Sequence, residues 1–178
     1  PALGNYPKDE NPPGGPLKFF AAMDGSSVDS IRANFGVDNS VTYVPGVSGK
    51  AAQFANNGYI SYPSANDFAK STDFTISFWL NATLAQKDHV NADGIMALSS
   101  TTNFWSNFVI YADHETSTSD SMQLKFHFAN GSGDNWDFAG YTGNSRWPKM
   151  YDGQWHHVAF VYSASTKTAT LYRDGEIG

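Results

Sequence analysis

In the run Phe74-Thr75-Ile76-Ser77-Phe78-Trp79-Leu80-Asn81 an apolar side chain falls on every second residue. That period gathers such residues on one side of a β-strand and scatters them around a helix. Phe74, Ile76, Phe78 and Leu80 make one face, and Thr75, Ser77, Trp79 and Asn81 the other. The first face reads as core. Leu124, Phe126 and Phe128 alternate with Lys125, His127 and Ala129 in the same way, and Val158, Phe160 and Tyr162 form a third row. No stretch of ten or more residues carries a clean helical period, and the only helical candidate, Ser27 to Asn34, is a turn or two. A chain built this way must bury itself by layering sheets.

Further strands are predicted over Lys18 to Met23, Val41 to Val44, Ala51 to Phe54, Tyr59 to Tyr62, Gly94 to Ser99, Phe104 to Ala112 and Lys167 to Arg173. Turn signals separate them. Near the end, Asp152-Gly153 is a tight turn, a strand runs to Tyr162, a polar turn covers Ser163 to Thr166, and a second strand leads into an Asp174-Gly175 hairpin turn. The 178 residues suit one domain with a substantial core. With 16 Gly, 8 Pro and 15% aromatic against 16% charged residues, the composition is that of a turn-rich all-β sandwich.

The formal charge of −6 excludes the basic footprint that nucleic-acid binding needs. Zero cysteines exclude disulfides and thiolate chemistry. No apolar run approaches the roughly 18 to 20 residues of a membrane span. Residues Pro1 to Pro16 hold five Pro and three Gly, which reads as an extended connector. The expected organisation is a linker over 1–16, joining an upstream domain to a sandwich over 17–178.

Three blocks of residues go further. Trp155-His156-His157-Val158-Ala159-Phe160-Val161-Tyr162 with Leu171-Tyr172-Arg173-Asp174-Gly175 resembles the late hairpin of the laminin G-like, concanavalin A-like jelly roll. Phe54, Gly58-Tyr59-Ile60, Tyr62-Pro63, Phe68 and the run Asp73 to Leu80 follow in that family's order, and Phe20 to Ser26 resembles its opening strand. The resemblance implies an all-β, two-sheet antiparallel jelly-roll sandwich. It points to a binding module before an enzyme, in a fold that serves lectins, adhesion modules and glycosidases alike. Further strands follow the last hairpin in that family, so the sandwich is expected to lack its C-terminal strands and to self-associate through an open sheet edge beside Lys167 to Arg173.

Related glycosidases carry two acids on one strand in a Glu-x-Asp-x-x-Glu pattern. Here Glu10, Glu115 and Glu176 are the only glutamates, and none stands in it. The Asp residues stand mostly before Gly, as turn formers. His156 and His157 are adjacent in a strand, point to opposite faces and cannot chelate one metal together. No nucleophile elbow or phosphate loop is present. The reading is therefore no enzyme.

Related jelly rolls often bind calcium through loop oxygens, which makes Asp24 the metal candidate by resemblance; a turn former is its plainer reading. The strongest binding signal is aromatic. Trp105, Trp136, Tyr141 and Trp147, with Arg146 among them, lie in a stretch rich in Asn and Asp. Such rings stack on sugars while the polar groups bind hydroxyls. Trp136 and Trp147 sit in turn-rich sequence, where burial is not guaranteed and binding residues concentrate, whereas Trp79 and Trp155 in regular strands read as packing. The expected function is a non-catalytic carbohydrate-binding or adhesion module of a larger extracellular or bacterial cell-surface protein, with a glycan partner. A structural or protein-protein interaction domain is the alternative, and a glycoside hydrolase the remote one.

Overall fold

The computed structural model describes residues 15–63, 71–98, 108–113, 118–129, 135–139 and 146–177. The chain divides into two compact units, residues 1–71 and 72–178. No described helix is long and apolar enough to cross a membrane. The expected linker over 1–16 lies almost wholly outside the described residues.

In the first unit, β1 (Val37–Pro45) and β2 (Lys50–Ser61) form an antiparallel pair. The sequence predicts two strands within β2, and the reason they are one lies in the register. Val41 faces Phe54 while Asn39 faces Tyr59, so Ala55 to Gly58 bulge out opposite Ser40. Gly58 is required there, because a Cβ would lie 2.7 Å from the Ser40 carbonyl oxygen.

The expected strand over Lys18 to Met23 and helical turn over Ser27 to Asn34 do not form. Ala21 and Asp29 make only an isolated bridge, and Asp29 bridges again to Asn34. The cause is Asp29, which is buried. Its Oδ1 accepts the backbone N–H of Phe20 at 3.1 Å and of Ile31 at 3.0 Å. A side chain that captures backbone donors offers the chain an alternative to ladder and helix.

The second unit is a sandwich. One antiparallel sheet has the order β10-β9-β8-β3, from β3 (Asp73–Thr83), β8 (Asp152–Ser163), β9 (Thr168–Arg173) and β10 (Glu176–Ile177). The other is β4-β5-β6-β7, from β4 (Asp93–Leu98), β5 (Phe108–Ala112), β6 (Leu124–Ala129) and β7 (Asn135–Ala139). The all-β, two-sheet antiparallel architecture expected from the sequence is therefore present.

The alternation decides the core. Phe108, Ile110, Leu124, Phe126, Val158, Phe160 and Leu171 are buried together, with Phe74, Ile76, Phe78 and Leu80 packed against them. The rings of Phe126 and Phe160 stack across the two sheets at 4.1 Å and 10°. Each fully buried side chain of this size contributes about 1.5–3 kcal/mol.

One strand escaped the sequence reading. β7 contains Trp136 in the segment taken for a turn-rich loop, and Trp136 stands opposite Phe128 in register. The period-two signal in Asn135-Trp136-Asp137-Phe138 is real but short, and the preceding Gly131-Ser132-Gly133 hid it.

Candidate functional site

Strand β3 pairs with β8 so that Asn81 faces Trp155 and Trp79 faces His157. These four have the opposite parity to the core rows Phe74 to Leu80 and Val158 to Tyr162, and so stand on the outward side of the sheet. They form a block of four, with tryptophans at two diagonal corners and Asn and His at the others. Trp79 is 50% exposed. Its ring lies 5.2 Å from that of His157, tilted by 57°, and Ser77 and Thr75 continue the row as exposed hydroxyls.

The block is braced from one end. Asn81 Nδ2 donates to the Gly153 carbonyl at 2.9 Å. Asp174 accepts the His157 backbone N–H at 2.8 Å through Oδ1, and its own N–H donates to the His157 carbonyl at 2.8 Å. An aromatic surface flanked by amide, hydroxyl and imidazole groups held by backbone contacts can stack on the apolar face of a ring and bond its hydroxyls. The alternation in β3 already sets Trp79 opposite the core row, whereas a tryptophan in a regular strand is expected to pack. The parity was the better guide.

The sequence-predicted residues fare differently. Trp105 and Tyr141 lie outside the described residues, and of Trp136 only the strand position is described. Arg146 is partly buried. Trp147, a candidate binding ring whose burial the sequence leaves open, is 2% exposed. The reason is local: Trp147 and Met122 exchange both backbone hydrogen bonds, at 2.9 and 2.8 Å, which draws the ring into the core among Met150, Tyr151 and Met122. The Arg173 guanidinium stands 5.9 Å from the centre of that ring.

Asp24 is exposed, and its Oδ1 accepts the Lys50 backbone N–H at 2.9 Å. It thereby anchors the β1-to-β2 turn, where Gly49 has φ +67° and a Cβ would come within 2.6 Å of the same oxygen. Calcium takes six to eight oxygens, and no group of three or more His, Cys, Asp or Glu that could hold a metal occurs among the described residues.

The sandwich of two antiparallel sheets, with an aromatic and polar surface on one of them, defines a lectin-like class of domain. A family model described as the concanavalin A-like lectin/glucanases superfamily, of laminin G type, matches residues 54–177, and the chain belongs to that superfamily. No curated protein sequence matches it.

Proposed function

We propose that the chain is a non-catalytic carbohydrate-binding or adhesion module of an extracellular or cell-surface protein, and that its glycan rests on the outward block of Trp79, Asn81, Trp155 and His157. The observation that carries this is the half-exposed Trp79 ring beside His157 on a regular strand. A single exposed ring is ordinary on a protein surface; what supports a ligand here is its grouping with Trp155, Asn81 and His157 on adjoining ladder positions, an aromatic and polar cluster of the kind that stacks on sugar rings. Trp105, Trp136 and Tyr141 form a second proposed contact region.

Binding to immobilised polysaccharides by wild type and by Trp79→Ala, Trp155→Ala and Trp136→Ala tests the reading. Loss of at least tenfold in affinity on Trp79→Ala, with unchanged thermal stability, supports it. Equal binding by Trp79→Ala and wild type refutes the placement. Repeating the assay with a calcium chelator tests Asp24: a chelator effect that Asp24→Ala abolishes supports a calcium role.

The superfamily includes glycosidases, and such an enzyme needs one carboxyl group raised and one ionised. Asp152 and Asp174 are both held below the usual carboxylate range. For Asp152 the Gln154 backbone N–H is the main cause; for Asp174, burial pulls upward but the bonds from His156 and His157 outweigh it. Burial raises Asp93, while backbone bonds from Asn91 and Val90 lower Asp88. Yet Asp88 is spent on its own turn, through the Val90 and Asn91 N–H groups at 2.7 and 2.9 Å. The expected outcome is no release of reducing sugar from β-glucans on long incubation. Turnover that disappears with Asp93→Asn would assign catalysis to that pair instead.

A further inference from the structure

The inward row of β8 ends at His156, where its neighbours Val158 and Phe160 are hydrocarbon. The imidazole sits between two carboxylates: Nδ1 is 2.8 Å from Asp174 Oδ2, and Nε2 is 3.2 Å from Asp152 Oδ1. Its side chain is 13% exposed. The two acids belong to different segments, and the tight turn expected at Asp152-Gly153 is instead the bulged start of β8, where Asp152 pairs with Thr83 and Gly153 has φ +75°. Asp152 opens β8 and also accepts the Gln154 N–H at 2.8 Å; Asp174 lies in the β9-to-β10 turn with φ +52°. Between these anchors, β8 carries Trp155 and His157 of the outward block. The Gly153 carbonyl that holds Asn81 follows Asp152 directly.

Two ring nitrogens facing two carboxylates are both satisfied only when both carry a proton. Burial disfavours that charge, but the bonds and charges of Asp174 and Asp152 outweigh it and raise the His156 pKa above 6.5. Asp152 and Asp174 face this ring, and Arg173 stands beside Asp174, its Nε 3.8 Å from Asp174 Oδ2. Across the sheet stands uncharged Leu80, and His157 faces the other side.

We propose that His156 is a positioning residue: its doubly bonded imidazolium holds the Asn81 and Trp155 half of the outward block in place, and loss of one proton releases that half. The neutral ring keeps the shorter contact, Nδ1 to Asp174, and turns a lone pair toward Asp152. The bulged start of β8 at Asp152 and Gly153 then loosens, and with it the acceptor for Asn81. Because the folded pKa is raised, the clamp is complete below pH 6.5 and is lost as pH rises through the folded value. On the acid side it persists until pH falls through the depressed values of the two carboxylates.

The consequence for affinity rests on the glycan reading; the clamp itself does not, and one experiment separates them. The isotope-labelled 178-residue chain is titrated by NMR from pH 5 to 9 without ligand, following the His156 ring, the Trp155 indole N–H and the Asn81 side-chain amide. Both reporters should move with the midpoint of His156, above 6.5. The transition should vanish in His156→Gln and survive in His157→Gln. Flat reporters, or an unchanged transition in His156→Gln, overturn the clamp. Should His156→Gln not fold, Asp152→Asn decides: the midpoint of His156 must drop, and an unchanged one overturns the proposal.

The second arm uses the same variants with a panel of β-glucan oligosaccharides. A partly exposed pair of this kind, its imidazole 13% and its carboxylates 26% and 42% exposed, accounts for about a twofold to fivefold change in affinity between pH 6 and 8. A coupled NMR transition with no binding at any pH leaves the clamp standing and sinks the glycan reading. Binding that is flat with pH despite the coupled transition sinks the link between them.

Discussion

The two faces of the β3–β8 pair share one backbone ladder and differ in everything else. Inward stand Phe74, Ile76, Phe78 and Leu80 with Val158, Phe160 and Tyr162, packed against the opposite sheet. Outward stand Thr75, Ser77, Trp79 and Asn81 with Trp155, His157 and Ala159. Both sets contain large aromatic rings, so residue type alone does not say which ring is structural. Parity does. Of the two tryptophans out of phase with the core row, Trp155 is partly buried and Trp79 is half in water, and their meeting with Asn81 and His157 on one outward patch is what suggests a ligand.

The first way to break this comparison is to remove a ring from the inward set. Phe160 is 1% exposed and stacked on Phe126, so Phe160→Ala leaves a cavity in a packed sandwich. It should cost about 3–5 kcal/mol. Chemical denaturation of wild type and variant measures it. A loss under 1 kcal/mol would mean that the two sheets do not share a continuous core.

The outward face is not uniformly dispensable, which sharpens the contrast. Asn81 is partly buried and donates to the Gly153 carbonyl, so Asn81→Ala should cost about 1 kcal/mol, the worth of one hydrogen bond. Ser77→Ala, two places along the same outward row at an exposed position, should stay within about 0.5 kcal/mol. Equal effects at the two positions would show that Asn81 does not brace the start of β8.

How much of this could be read beforehand follows from how local each signal is. The rows in β3, β6 and β8 are encoded within eight or so residues, and a period of two survives any tertiary context that buries one side. The sandwich was therefore legible. The segment before β1 was not, because Asp29 takes backbone donors from Phe20 and Ile31 through folding, not through any pattern in the residues between them. Nor was the burial of Trp147 legible, for a similar reason: only its pairing with Met122, 25 residues away, puts it inside. The binding block was half legible. Trp79 carried the right parity, but its meeting with Trp155 and His157 depends on the register of two strands separated by most of the second unit.

The smallest expected effect on stability is the most informative. Trp79→Ala removes one of the two indole rings of the outward face, yet half of that residue already lies in water, and its one described ring contact is a tilted approach to His157 at 5.2 Å. The area it withdraws from solvent is what its neighbours on the ladder cover. An edge contact of this kind is worth about 0.5–1.5 kcal/mol at best, and removal of an exposed apolar ring from water offsets part of it. The net change should fall within about 0.5 kcal/mol, several times less than at Phe160 on the other face of the same ladder. Thermal unfolding of the two variants side by side measures the ratio. If Trp79→Ala proved as damaging as Phe160→Ala, Trp79 would be a packing residue, and the outward block would lose its claim to a ligand.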